Sequence, residues 1–338
     1  MKNLQNDLMA LSEAVGVGNL TAAAAVAAER FSPYAKVERT AGLTVLATIE
    51  GEQDKTLLLD AHLDEVAFVV TDVDANGFLT VAACGGVDLR SLPAKRVTVH
   101  GKRPISAVFC STPPHLSGGE QSFEKIDALK IDTFLGQEAA EWISVGDYVT
   151  YAAKPVLLSG NRLSGKSLDN RASVACLLEL ARRFSAKKPP MNLAFVLSDQ
   201  EELGLRGIRP AAHRISPDEA VVLDVSFADG NGVSPRECGV MGKGPMIGFS
   251  PVLDTAATRK LKKLAEEMNL DVQTEVMGER TGTNADMVSL TGNGVPTALV
   301  SIPLRNMHTD VEVVDLADLK AVCDLVERYI ESGGNADV

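Results

Sequence analysis

From about residue 160 onward, this 338-residue chain alternates apolar strand-like runs with stretches of helical period, and that alternation limits the possible folds more than any other feature. Strand patterns at 192–198 (NLAFVLS), 219–225 (EAVVLDV), 271–276 (DVQTEV) and 295–302 (VPTALVSI) are interleaved with helical patterns at 173–184, through 203–213, at 254–268 and at 315–330. Runs such as AVVL are apolar on both pleat faces and need cover on both sides, which the intervening helices can supply. The predicted fold class is α/β: a mixed, largely parallel sheet with helices on both faces. The start of the chain joins the same frame, with helical spacing at 3–15 and 20–31 and strand patterns at 43–50 and 56–61. Between these halves lie short β patterns without helical period (VAFVVTDV, GFLTVAA, KRVTVHG, ISAVFCS, DYVTYA). The spacing therefore predicts a domain formed by residues 1–66 and 160–338, interrupted by a small all-β domain over 67–159. The Pro-, Gly- and Ser-rich segment 111–121 is expected to be a mobile loop.

In open α/β sheets, ligands bind beyond the carboxyl ends of the strands, so polar residues ending apolar runs are the ones to collect. His62 and Asp64 end LLLDAHLDE, Glu201 and Glu202 end LAFVLSDQEE, Asp224 ends AVVLD, His308 follows ALVSIPLRNM, and Asp169 sits in the turn-rich GKSLDNRAS. Taken singly, each has a plain structural explanation: a core histidine, a solvated Glu-Glu turn, a helix cap at Asp169. Asp224 is harder to dismiss, because a carboxylate after AVVL must be paired or metal-bound if buried. Together, His62, His308, Asp169, Glu202 and Asp224 offer two imidazoles and three carboxylates, a donor set suited to two ions of zinc or a similar divalent metal with a bridging hydroxide. Glu201 and Glu202 would divide metal binding and proton transfer between them, provided the strand breaks into a loop, which Gly204 permits. Asp64, two residues from His62, is placed to hold the imidazole tautomer.

Composition narrows the alternatives. A net charge of -12 without a basic cluster argues against nucleic acid. Five scattered cysteines without a C-x-x-C pair read as reduced, buried packing residues. No apolar run approaches 18 residues and the first residues have helical spacing, so the expectation is a cytoplasmic protein without a membrane partner. One tryptophan and 4% aromatic residues leave little sugar-stacking surface for a glycan hydrolase.

At AHLDEV, GKSLDNRAS, SDQEELGLRG, VVLDVS and GVPTALVSIPLRNMHTDVEVVD, the chain resembles the dinuclear metallo-aminopeptidases of the glutamyl and deblocking family. That family includes tetrahedral aminopeptidases and members once labelled endoglucanase, and the resemblance spans nearly the whole chain. It implies a zinc-exopeptidase-like fold. Carried over by position, it implies that His62 and Asp224 hold one metal ion, that Glu202 and His308 hold the other, and that Asp169 bridges them. It further implies Glu201 as general base, Asp64 as orienter of His62, zinc, cobalt or manganese as the ions, and a dimerising insert in a homo-oligomer that can reach a dodecamer. The chain departs from the family at HTDVEVVD, at Asn284 and at Asn170, where serine and proline or further acids are usual; Asn306 also falls near the expected substrate pocket.

The expected function is removal of N-terminal residues from a peptide substrate by a dinuclear metal-bound hydroxide, with Glu201 accepting the proton of the water that forms it and delivering that proton to the leaving amine. Arg280, Thr283, Asn284 and Arg305 are candidates for the substrate pocket. Two other readings are hydrolysis of acylated amino acids by the same ions and a noncatalytic, peptide-binding assembly protein.

Overall fold

The computed structural model describes residues 1–40, 44–111, 113, 115–116, 126–230 and 232–335. The chain begins with α1 (Lys2–Glu13) and α2 (Ala22–Phe31), followed by β1 (Lys36–Arg39), β2 (Val45–Ile49) and β3 (Gln53–His62). An insert then runs through β4 (Ala67–Val73), β5 (Phe78–Cys84), β6 (Arg96–His100), β7 (Pro104–Phe109), β8 (Ile131–Asp132), α3 (Ala139–Trp142) and β9 (Tyr148–Tyr151). The return passes through β10 (Val156–Leu158), β11 (Arg162–Gly165), α4 (Leu168–Ser185), β12 (Met191–Ser198), α5 (Ile208–Ile215) and β13 (Glu219–Phe227). It ends with β14 (Met246–Phe249), α6 (Thr255–Glu267), β15 (Gln273–Val276), α7 (Ala285–Val288), β16 (Thr297–Arg305), β17 (Glu312–Asp315) and α8 (Leu316–Glu331).

The eleven-stranded sheet has the order β1-β2-β12-β3-β13-β16-β17-β11-β10, with β14 beside β16 and β15 beside β14. Its centre, β12-β3-β13-β16, is parallel, and the flanking strands are antiparallel. Strand alternation sorts the side chains between two layers. Leu57, Leu59, Val221 and Leu223 face a core shared with α1, α2, α4, α6 and α8, whereas Leu58, Val196, Ala220 and Val222 face α5 and α7. The predicted α/β class therefore holds, helices on both faces included.

The insert closes into a barrel in the order β4-β5-β8-β7-β6-β9, with Phe68, Phe109 and Tyr151 in edge-to-face contact inside it. Most of the segment expected to form a loop, 111–121, lies outside the described residues. The helix expected through 203–213 begins only at Ile208. The residues before it form turns because Gln200, Gly204 and Leu205 have left-handed φ values. The expectation of buried cysteines holds for Cys176 and Cys323 only, while Cys84, Cys110 and Cys238 are partly exposed.

Candidate metal centre

Alternation along β3 puts Asp60 and the terminal His62 on the same side as Leu58, facing α5. The same rule aims Asp224 of β13 there, beyond Ala220 and Val222. Parallel pairing sets Ser198, the last residue of β12, opposite His62. The chain then turns sharply, and Gly207 packs so closely on Asp199 that a Cβ would lie 2.1 Å from the Asp199 carbonyl oxygen. This turn brings Glu201 and Glu202 to the site, and their backbone N–H groups donate to the two carboxylate oxygens of Asp64 at 3.0 and 3.1 Å. Asp64 thus fixes the glutamate turn as well as lying beside His62.

Asp169 enters from the start of α4 and His308 from the turn after β16. One buried residue braces both: Glu312 accepts from the Asp169 N–H at 3.1 Å and from the His308 N–H at 2.8 Å. Ser167, Gln200 and His308 hold φ values of 58°, 58° and 64°, the left-handed region that is costly for residues with a Cβ. That backbone strain lies within two residues of Asp169, Glu202 and His308.

The side chains converge. His62 Nε2 lies 3.1 Å from Asp169 Oδ1 and 3.9 Å from both Glu201 Oε2 and Asp224 Oδ1. His308 Nε2 lies 3.4 Å from Asp169 Oδ2 and 3.5 Å from Glu202 Oε1. Each oxygen of Asp169 therefore faces a different imidazole. On the far side of each ring, Nδ1 meets a carbonyl oxygen: Asp64 at 3.2 Å for His62 and Gly86 at 2.6 Å for His308. A carbonyl can only accept, so both Nδ1 atoms carry the hydrogen, and in a neutral ring Nε2 presents its lone pair to the carboxylates.

Lone pairs and carboxylates facing one another need a cation or protons between them. Without ions, protons take that place. Burial, with mutual repulsion and the charge of Asp169, raises Glu201 and Glu202 to about 8. Burial together with Glu201 and Asp169 pushes Asp224 well above the usual carboxylate range. Burial would lower the imidazoles, yet Glu201 and Asp169 carry His62 well above its ordinary value, while Asp169 and Glu202 bring His308 to about 10. Burial likewise opposes ionisation of Asp169, but hydrogen bonds from His308 and His62 hold it below the usual range. Two sets of ligand atoms, on His62, Glu201 and Asp224 and on His62, Asp169 and Glu202, lie within 4.8 Å of one another. Nitrogen and oxygen donors in this arrangement fit divalent metal ions.

The four residues expected in the substrate pocket separate. Arg280 and Thr283 line a cavity of about 1590 Å³ that also contains His62, Asp169, Asp224 and His308. Asn284 is not in that wall: it is buried, and its amide donates to Asp60 Oδ2 and Ser198 Oγ at 2.8 Å. Burial raises that Asp60 carboxyl to about 7. Arg305 turns outward to pair with Asp229 at 2.6 Å. Asn306 donates to the Val311 carbonyl. Sequence reasoning missed Glu312 and the Gly86 carbonyl. The first was signalled by an acid within the apolar EVV strand; a backbone carbonyl leaves no signal.

Known proteins share both sequence and fold with this chain. A lysyl aminopeptidase from Pyrococcus furiosus is 29% identical over 297 residues, covering 85% of this chain and 84% of that protein. An aminopeptidase from the archaeon Desulfurococcus kamchatkensis superposes with a TM-score of 0.92 at 28% identity, covering 98% of this chain and 95% of its own. The TET1 peptidase of Pyrococcus horikoshii, which can assemble into a tetrahedron or a large octahedral shell, superposes with a TM-score of 0.85 at 27% identity, covering 97% and 99%. A profile of the family described as M42 glutamyl aminopeptidase matches residues 44–325, and the chain belongs to that family.

Proposed function

We propose that this protein removes N-terminal residues from peptides with two divalent metal ions, one held by His62 and Asp224, the other by Glu202 and His308, and both by Asp169. The observation that carries the reading is that the two oxygens of Asp169 face two imidazoles whose Nδ1 atoms are already committed to carbonyl oxygens. Zinc, cobalt or manganese there would lower the pKa of water toward about 7 and polarise the peptide carbonyl.

Glu201 takes the proton of the attacking water and passes it to the leaving amine. Its Oε2 lies 3.9 Å from His62 Nε2, at the edge of the group of side chains that would hold the ions and the water. Asp64 holds the Glu201 and Glu202 backbone, so the two adjacent carboxylates cannot exchange places. The Asp64 and Gly86 carbonyls keep both rings in one tautomer. The barrel serves as a dimerisation domain in a homo-oligomer, a reading supported by the shell assembly of the similar TET1 peptidase.

The test is digestion of a library of free and N-terminally blocked peptides after loading with each metal, read by mass spectrometry. Loss of single first residues from free peptides only is expected. Cleavage confined to blocked amides would replace this reading, and light scattering would decide the assembly.

A further inference from the structure

We infer that Glu275 makes the cavity beside the candidate metal centre a subsite for a cationic side chain, so that the protein prefers peptides beginning with lysine or arginine. This deepens the aminopeptidase reading above and rests on it. Relatives of this fold are described as both lysyl and glutamyl aminopeptidases, so family membership leaves the first residue open.

Glu275, on β15, lines the cavity and is half-buried. The Ser226 hydroxyl donates to one of its carboxylate oxygens and the Ser301 hydroxyl to the other, at 2.8 Å. Both serines belong to the sheet patch that carries Asp224: Ser301 is opposite it in the β13-β16 register, and Ser226 follows it by two residues on the same face. The carboxylate is thus fixed beside the centre, within reach of a long side chain on a residue whose carbonyl is being attacked. Each serine has one hydrogen to donate and spends it on Glu275, which orients the carboxylate without neutralising it. Among the described residues, no arginine, lysine or histidine pairs with it.

Other charges in the cavity are differently placed. Asp286 is occupied in its own turn, accepting from the Thr281 N–H and hydroxyl at 2.8 Å and from the Gly282 N–H at 3.1 Å. Arg236 and Arg280 are exposed at the margin, where water screens their charge. Apart from the two serines, the lining near Glu275 includes the apolar side chains of Met246, Met277 and Leu299. A Cβ on its register partner Gly248 would meet Leu299 Cβ at 3.1 Å and Met277 Cε at 3.2 Å, and Met246 is a further wall residue. Apolar walls ending in a fixed, unpaired carboxylate match an aliphatic stem ending in a cation. A leucine would leave the carboxylate desolvated and unpaired, and a glutamate would be repelled.

Calorimetric titration of the metal-loaded protein with L-lysine and L-norleucine, which share a four-carbon stem and have no amide bond to cleave, tests this without turnover. Wild type should bind lysine about tenfold or more tightly than norleucine, the scale of one hydrogen bond to a charged group. Glu275→Gln should bring the ratio near one while norleucine binds at least as tightly as to wild type, which also shows that the variant is folded. Glu275→Lys should turn the preference toward L-glutamate. Digestion of the peptide library by the same proteins should show the change mainly in KM. A wild type without lysine preference, or a Glu275→Gln variant that keeps it, overturns the inference even if peptides are cleaved. A Glu275-dependent preference with no cleavage upholds the subsite and removes the aminopeptidase reading instead.

Discussion

Two groups of buried charge lie side by side in this molecule, and they are built on opposite rules. In the first, Glu65 accepts from Lys166 Nζ at 2.6 Å, from Ser167 Oγ at 2.6 Å and from the Gly16 N–H at 3.0 Å, with Arg171 at 3.9 Å. Burial works against ionisation of Glu65, but Lys166 and Arg171 hold its carboxyl below its ordinary value. In the second, Asp169, Glu201, Glu202 and Asp224 crowd two imidazoles, and three of these four carboxyls are forced upward. In the first group the carboxylate is satisfied from within, although Nε and Nη2 of Arg171 keep no hydrogen-bond partner among the described residues, and the group joins the α1 end to the turn before α4. In the second the carboxylates meet only imidazoles and one another, so protons or cations must come from outside. Buried charge alone does not mark a site; buried carboxylates without a lysine or arginine among their neighbours do.

Replacing one member in each group should break the comparison in different ways. Glu201→Gln should lower kcat by about 10²–10⁴ while metal analysis still finds about two ions per chain, because it removes a proton acceptor and spares the proposed ligands. Lys166→Met should leave metal content intact and cost about 3–5 kcal/mol in denaturant unfolding, since Glu65 would stay buried with much of its charge compensation lost. Glu312→Gln, which weakens the brace on both Asp169 and His308, should reduce metal affinity by about 10–100-fold in a competition titration with a chelator.

The smallest effect sharpens the contrast through pH. With the ions chelated, folded Glu201 and Glu202 keep protons up to about 8, whereas the unfolded chain releases them near 4.5. The folded state then binds more protons, so stability falls as pH rises through that window. His308 acts in the same direction: its contribution is complete below 6.5 and is lost as pH approaches about 10. Asp169 works oppositely, its contribution being lost only as pH falls below the ordinary carboxylate range. Calorimetry should find the chelated protein melting lower at about pH 9 than at about pH 6, and the metal-loaded protein gaining relative to it, because ligands must deprotonate to bind. A chelated protein that melts higher at the alkaline end would contradict the unbalanced-charge account.

Much of this was legible before any coordinates, because long parallel strands announce themselves by apolar runs and their ends by the charges that stop them. The central strands β3, β12, β13 and β16 have that form, as do five of the six converging side chains; Asp169, at the start of α4, stands instead in a turn-rich stretch. What escaped notice is short or local. β10 exposes all of Val156, Leu157 and Leu158 and so lacks alternation, β14 and β17 are four residues each, and α7 is a single turn. Asn284 misled for another reason. Lying in a loop of threonine, glycine and aspartate, it reads as surface chemistry, but tertiary packing buries its amide against Asp60. Glu275 passed unnoticed in the strand pattern DVQTEV, since its significance depends on two serines from other strands.

The Gly86 carbonyl comes from the inserted barrel, yet it sets the ring of a residue in the α/β domain. Lys95 of the same insert reaches Asp310, two residues beyond that ring, at 2.6 Å. Excising the barrel would therefore not yield a smaller working enzyme: it would free the imidazole to rotate. A change in the tilt of the insert would likewise be felt directly in the orientation of His308.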